Sequence, residues 1–343
     1  MQRDGTNRRI GRRKIGLRAL TAAALVALVA LLAACGGSSS STSSGGAKPA
    51  ASKGDIAVEL PFQGLDIYAP TMAGIRAEAK VRGYNVLQGF AGGDVDKAIT
   101  ELTTWITQGV RGIVVLALQT NSFKPLVARA EKQGTKVVAW VNPVAGSSGT
   151  LLLDPKQAGA VVGNDAAKWI HDHLHGRAQI VLMPDLQDPG TVTRVNAALA
   201  IIKKTNPGVT VVSTQSAPLG TPDQGLQITR NVLQAHPGAN VFIPVNDSVA
   251  LGIDKALQEA GSNLADDYVT GFDGSKAALE RMLTGKTAIK SVAAANLVEA
   301  GTQAIDLTAN AIEGKQPTMA TALEYLVTVD DKAAIRKFLA QYK

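Results

Sequence analysis

The chain predicts an α/β fold built on doubly wound parallel sheets, and three observations predict it. Short apolar, β-rich runs alternate with amphipathic stretches of helical period. Five of the helical stretches are followed closely by glycine, the residue that most readily ends a helix. About 290 residues remain from Gly54 onward, enough for two lobes of ordinary domain size. Taken in order, Ile56 to Leu60 reads as a strand and Pro70 to Arg82 as a helix stopped by Gly83; Tyr84 to Leu87 is the second strand. Asp94 to Gln108 is a helix stopped by Gly109, Gly112 to Leu118 a strand, Phe123 to Gln133 a helix stopped by Gly134, and Lys136 to Val141 a strand. Lys156 to His175, stopped by Gly176, leads to the strand Ala178 to Met183; Val192 to Lys204 leads to Val209 to Ser213. Gln224 to Ala235 precedes the strand Val241 to Val245, Ser248 to Ala260 ends at Gly261 before the strand Tyr268 to Phe272, and Lys276 to Thr284 is the last expected helix. Nearly continuous hydrophobicity in each strand suits burial on both faces of a parallel sheet. The βα repeat implies right-handed crossovers and a ligand site outside the carboxyl ends of the strands.

Ahead of this body stand three segments of different composition. Arg3, Arg8, Arg9, Arg12, Arg13, Lys14 and Arg18 form a basic region, and Ala19 to Ala34 carries no charge. That run is short for a spanning helix. It ends Leu31-Leu32-Ala33-Ala34-Cys35, which resembles a lipobox; the resemblance implies a lipoprotein signal peptide over 1–34 and a diacylglyceryl group on Cys35 as the new N-terminus. Gly36 to Lys53 is almost wholly Gly, Ser, Ala, Thr and Pro, so residues 35–53 are expected to be a lipidated cysteine and a flexible tether, too polar to offset the entropy of ordering. The whole chain carries 35 basic against 28 acidic residues, a net of +7. Removing the leader leaves 28 against 27, a net of +1, and no basic footprint for nucleic acid. With its one cysteine at the anchor, the exported body can form no internal disulfide.

No nucleophile, base and oxyanion constellation stands out, and there is no phosphate loop or HExxH, so an enzyme is not expected. His171 and His175, spaced i and i+4, would share a helix face, but a helix C-terminus attracts histidine electrostatically in any case, and no metal is expected. No cofactor is expected either.

The second half of the chain resembles a known family. Ala235-His236-Pro237, Val241-Phe242-Ile243-Pro244-Val245-Asn246-Asp247, Ala250-Leu251-Gly252 and Val269-Thr270-Gly271-Phe272-Asp273-Gly274 are similar to the ribose-binding branch of the periplasmic sugar-binding proteins. Gly74, Glu78-Ala79 and Gly83-Tyr84 match that family's first helix and second strand. The resemblance implies two similar lobes of the type I periplasmic-binding-protein fold, joined by three crossing strands: residues 54–152 plus 296–325, and 153–295 plus 326–343. It further implies an extracytoplasmic solute-binding protein on the outer face of the cytoplasmic membrane, a monomer that closes on a sugar or polyol and hands it to the permease of an ABC importer. The alternative is a sensing module that presents its closed form to a membrane receptor or kinase. A DNA-binding regulator of this fold would need a headpiece where the leader stands.

The same resemblance implies cleft residues, each with a plainer reading. Asn246 and Asp247 follow a strand and begin a helix; either is a good helix cap, and the resemblance points Asn246 at the ligand while Asp247 caps. Asp273 is implied to accept from sugar hydroxyls or serves only a turn, and Arg194 matches the family arginine on the helix after Ala178 to Met183 or is a solvated surface charge. Tyr68 is implied to stack on the sugar or packs in the core; Phe62, Asp66 and Gln63 lie in the same loop. Asn142 and Pro143 stand where ribose-type relatives carry an acid and an arginine, and Ala295, followed by Asn296, stands at the family's cleft glutamine. Those departures reduce the charge-assisted bonds available and argue against ribose itself. Trp140 is either a platform near the cleft or a core residue.

Cys35→Ser is expected to release the protein from membrane fractions or to leave the precursor uncleaved. Intact-mass analysis finding an unmodified thiol at Cys35 would overturn the lipidation reading.

Overall fold

The computed structural model describes residues 51–117 and 119–343. The leader, Cys35 and nearly all of the tether lie outside the described residues. The chain runs β1 (Asp55–Leu60), α1 (Tyr68–Arg82), β2 (Asn85–Phe90), α2 (Val95–Gln108), β3 (Gly112–Leu116), α3 (Thr120–Lys132), β4 (Lys136–Val141) and β5 (Gly149–Leu153). It continues through α4 (Pro155–Leu174), β6 (Gln179–Met183), α5 (Pro189–Thr205), β7 (Thr210–Thr214), α6 (Pro222–Ala235), β8 (Val241–Pro244), α7 (Asp247–Glu259), β9 (Tyr268–Asp273), α8 (Lys276–Leu283) and β10 (Ile289–Ala295). The last elements are α9 (Leu297–Glu313), β11 (Met319–Ala322), β12 (Glu324–Thr328) and α10 (Lys332–Leu339). Every strand and helix read from the pattern has its counterpart. The strands β5, β10, β11 and β12 and the helices α9 and α10 were not among those readings.

Two six-stranded sheets result, ordered β11-β5-β4-β3-β1-β2 and β12-β10-β9-β8-β6-β7. All pairings are parallel but one: β12 runs antiparallel to β10, with Ala295 opposite Glu324. The chain passes between sheets after β5, after β10 and after β11. Since β12 starts at Glu324, Glu324 and Tyr325 belong to the second sheet, although the resemblance assigned both to the first lobe. Helices cover both faces of each sheet, so alternate strand residues enter different cores. Ile56, Val58 and Leu60 pack with Ile75 of α1 and Ile305 of α9, whereas Ala57 packs with Leu102 of α2 and Val127 of α3. In the second sheet Ile180 and Leu182 face α4 and α5, while Val181 and Met183 face α7.

The helices begin at the carboxyl ends of strands, and their first turns need acceptors for orphan N–H groups. Asp154, Asp188, Asn246, Ser275 and Asn296 each supply a side-chain oxygen to the helix that follows. The His-rich segment closes α4, as expected. His175 lies past the last helical residue in the left-handed region at φ 51°, so it shares no helix face with His171; His171 pairs with Asp172, and His173 stacks on Trp169 at 4.9 Å. Among the described residues no group of three or more His, Cys, Asp or Glu is placed to hold a metal ion, and no helix is long and apolar enough to cross a membrane.

Close helix contact positions the later site. A Cβ at Gly159 of α4 would stand 2.1 Å from the carbonyl oxygen of Arg194 on α5, and one at Gly74 of α1 would stand 2.0 Å from that of Val298 on α9. Only glycine permits these approaches. Gly159→Ala is therefore expected to push α5 from α4 and destabilise the fold by roughly 1–3 kcal/mol, the usual cost of overpacking. Thermal and denaturant melting of the variant checks this, and an unchanged midpoint would refute it.

Candidate functional site

A cavity of about 190 Å³ lies where the carboxyl ends of the two sheets face each other. At ~30 Å³ per water it holds about six waters, which is the scale of one small ring or short polyol. One wall comes from the first sheet, with Phe62, Tyr68, Trp140 and Asn142; the other comes from the second, with Arg194, Asn246 and Asp273. The floor is made by Leu153, Ala295 and Glu324, at or beside the three crossings.

Arg194 is the centre of the polar wall. It lies in the second turn of α5, not the first, because that helix starts at Pro189. Its Nη2 donates to the carbonyl oxygen of Val245, its guanidinium sits 4.3 Å over the ring of Phe272, and its Nη1 is 4.0 Å from Asp273 Oδ1. Its buried Nε has no partner among the described residues. Asp273 takes a left-handed backbone at φ 98°, unusual for any residue but glycine, and so turns its carboxyl into the cavity beside Arg194. Burial pushes this carboxyl up to about 6, with Arg194 pulling it down and Asp66 pushing it up. In the folded protein it therefore holds its proton to higher pH than its ordinary 3.8, and its own contribution to stability falls as pH rises from about 3.8 to about 6.

Asn246, and not Asp247, is the cap of α7. Its Oδ1 accepts from Val249 N at 2.9 Å and its Nδ2 donates to Gly220 O at 3.1 Å, while the residue still lines the cavity. Asp247 is buried beneath, accepting from Ser275 N at 2.6 Å, and its carboxyl is raised well above its ordinary value by burial and by Asp273. The capping role expected of Asp247 thus falls to Asn246, which keeps its place on the cavity, because the extended backbone at Asn246 aims its amide along the helix start.

The opposite wall is aromatic. Tyr68 opens α1, is 7% exposed, and lies 6.4 Å from Phe90; burial raises its hydroxyl above the ordinary range. Trp140, 5% exposed, lines the cavity with an Nε1–H that has no partner among the described residues. Asn142 reaches across the gap, its Nδ2 at 3.5 Å from Asp188 Oδ1. Three expected residues are elsewhere, of which Gln63 is exposed and outside the cavity lining. Asp66 accepts from Ala277 N at 3.1 Å, a bond that ties the first loop to α8 of the other sheet, and it is not part of the cavity lining. Asn296 is exposed and caps α9, its Oδ1 accepting from Glu299 N at 3.3 Å and its Nδ2 donating to Glu299 Oε2 at 3.0 Å.

Glu324 was missed. It is 3% exposed, lines the cavity, and carries an Oε1 with no partner among the described residues. Burial pushes its carboxyl up to about 8, Arg194 pulling it down and Asp273 pushing it up. Nothing local marks it, since Glu-Tyr-Leu-Val-Thr reads like a strand with a polar start. Asp188, which caps α5 through Gly190 N at 2.8 Å and is likewise raised by burial, was also missed.

Two parallel α/β sheets linked by three crossings, with a cavity between them at the strand ends, define the type I periplasmic-binding-protein class. The chain belongs to the periplasmic binding protein domain family, whose model matches residues 56–316. It is 28% identical over 238 residues to the ribose import binding protein of Bacillus subtilis (strain 168), covering 68% of this chain and 75% of that one. It is also 26% identical over 220 residues to a xylitol-binding protein of Mycolicibacterium smegmatis, covering 62% of this chain and 60% of that one. Among solved structures, an ABC transporter solute binding protein of Bacillus halodurans C-125 with bound myo-inositol superposes with a TM-score of 0.75 at 21% identity, over 85% of this chain and 99% of that one. That likeness establishes the shared fold.

Arg194→Ala removes the cation beside Asp273, so the Asp273 carboxyl is expected to titrate above the wild-type value of about 6. Carbon-detected NMR titration of the ligand-free protein measures it. An unmoved midpoint would mean that Arg194 does not act on that carboxyl.

Proposed function

We propose that the chain is a lipid-anchored, extracytoplasmic, monomeric solute-binding protein that captures a sugar or polyol and delivers it to the permease of an ABC-type importer. The observation that carries this reading is the single cavity wall on which Arg194, Asn246 and Asp273 meet, opposite the aromatic wall of Phe62, Tyr68 and Trp140. A hydroxyl is both donor and acceptor and needs fixed amide, carboxylate and guanidinium partners, while the C–H face of a sugar or polyol packs against aromatic rings. Relatives named for ribose and xylitol support the same class of ligand.

The mechanism is closure and release, not turnover. Asn142 meets Asp188, and Asp66 meets Ala277, only where the two lobes approach, so a ligand touching both walls favours the closed arrangement by whatever contacts it adds there. The lobes would rotate about the crossings after β5, β10 and β11. The closed form is what the permease reads. A diacylglyceryl group on Cys35, at about 0.8 kcal/mol per buried methylene, would hold the body at the bilayer through the tether of residues 35–53.

A thermal-shift screen of sugars and polyols is the direct test: a ligand that binds only the folded state and is present at 100 times its Kd adds about 2.7 kcal/mol of stability. Asp273→Asn, which keeps the shape and tolerates the left-handed backbone, is expected to cost roughly 1–3 kcal/mol of binding with little loss of ligand-free stability. Asn246→Ala loses a helix cap as well, so it should cost about 1 kcal/mol of stability without any ligand. No stabilisation by any member of the panel would refute the proposed ligand class.

A further inference from the structure

We propose that the Glu324 side chain is a ligand-binding group of this cleft, hydrogen-bonding a ligand hydroxyl from the side of the crossing strands in a site whose lining charges favour neutral polyhydroxylated ligands. The inference deepens the reading of the protein as a sugar or polyol binder and rests on it.

Four observations converge on Glu324. First, it stands directly opposite Ala295 in the antiparallel β10–β12 ladder, and both residues line the cavity. Opposed residues in such a ladder project to the same face of the sheet. Ala295 contributes only a methyl group there, so the longer Glu324 side chain is the polar group that this part of the floor possesses. Second, the side chain is 3% exposed and its Oε1 has no partner among the described residues. A buried acceptor or donor left open beside a cavity is completed by what fills the cavity. Third, the strand is held in place without the carboxyl: the Glu324 carbonyl oxygen accepts from Gln157 Nε2 at 2.8 Å, and the ladder to β10 supplies the rest. The carboxyl is thereby free of a structural duty.

The fourth observation is the charge balance. Asp185, Asp188, Asp273 and Glu324 line the cavity, against Arg194 as the one cation among its described lining residues. Arg194 is already engaged by the Val245 carbonyl and stands beside Asp273. An anionic ligand would enter among carboxyls with no free cation to receive it, whereas neutral hydroxyls find acceptors throughout. The charged groups acting on Glu324 are Arg194 from α5, Asp273 at the end of β9 and Asp154 ahead of α4, and burial outweighs them, so the carboxyl stays protonated to about 8. In that form it presents one donor and one acceptor, the pair that a hydroxyl matches. A neutral ligand closing over it removes more water and holds the proton more firmly, so affinity should fall as pH rises through this range.

The experiment is titration calorimetry with myo-inositol, xylitol and ribose on the wild type, Glu324→Gln and Glu324→Ala, with ligand-free melting of each as the control for folding. The amide keeps a donor and an acceptor in the same shape, so Glu324→Gln is expected to bind within about threefold of the wild type at about pH 7, while Glu324→Ala binds about tenfold or more weakly. Wild-type affinity is expected to fall between about pH 7 and about pH 9, a range in which Asp273 is already ionised, and the Glu324→Gln profile to be flat. Glucuronate and gluconate are expected to give no stabilisation. Unchanged affinity in Glu324→Ala or a pH slope that persists in Glu324→Gln would each overturn the role of Glu324, and tight binding of glucuronate or gluconate would overturn the preference for neutral ligands, while leaving the solute-binding reading intact. Failure of all three neutral probes on the wild type would overturn the ligand class itself, and this inference with it.

Discussion

One guanidinium organises the cleft. Arg194 is taken out of water at the meeting of the two lobes, and a buried charge persists only where acceptors surround it. The Val245 carbonyl, the Phe272 ring and the Asp273 carboxylate are those surroundings. They lie at the ends of two strands, Val245 just past β8 and Phe272 and Asp273 at the end of β9, while α5 carries the arginine itself. Asp273 even adopts a strained left-handed backbone to take part. The contact of Gly159 with the Arg194 carbonyl then fixes α5 against α4, so the position of the cation follows from a glycine 35 residues earlier in the chain.

The second constraint is topological. Two sheets that each bury both faces leave only their strand ends free to meet, and the chain must still pass between them. It does so three times, at the same end of both sheets, which is why the floor of the cavity consists of residues at or beside crossings, such as Leu153, Ala295 and Glu324. Polar groups there lie beside the crossings, whereas Asn142 and Asp188, or Asp66 and Ala277, come from elements of opposite sheets and meet across the cleft.

Electrostatics and helix geometry combine in this arrangement. Helices start where strands end, so their caps and the ligand site compete for the same residues. Asn246 satisfies α7 and still borders the cavity; Asp188 satisfies α5 and reaches Asn142. Crowding these carboxyls into a largely apolar cleft raises Asp273, Asp188 and Glu324 together, and Arg194 offsets only part of that burial.

By itself the sequence determined the strands and helices of both sheets from β1 to α8, save β5, because burial on both faces writes continuous apolar runs and amphipathic helices into local order. Its resemblance to sugar-binding proteins also singled out Arg194, Asn246 and Asp273, which do share one wall. The later elements were harder to read: β10 is Ile-Lys-Ser-Val-Ala-Ala-Ala and β11 is Met-Ala-Thr-Ala, weak strand formers that are held in place by their neighbours in the sheet. Tertiary structure alone decided that Asn246 caps and Asp247 is buried, that Asp66 and Asn296 stand outside the cavity lining, and that Glu324 faces it. The physical reason is that each of these outcomes depends on residues far away in the chain. Glu324 is a cleft residue only because β12 turns back against β10 and sets it opposite Ala295, a pairing that no local periodicity records.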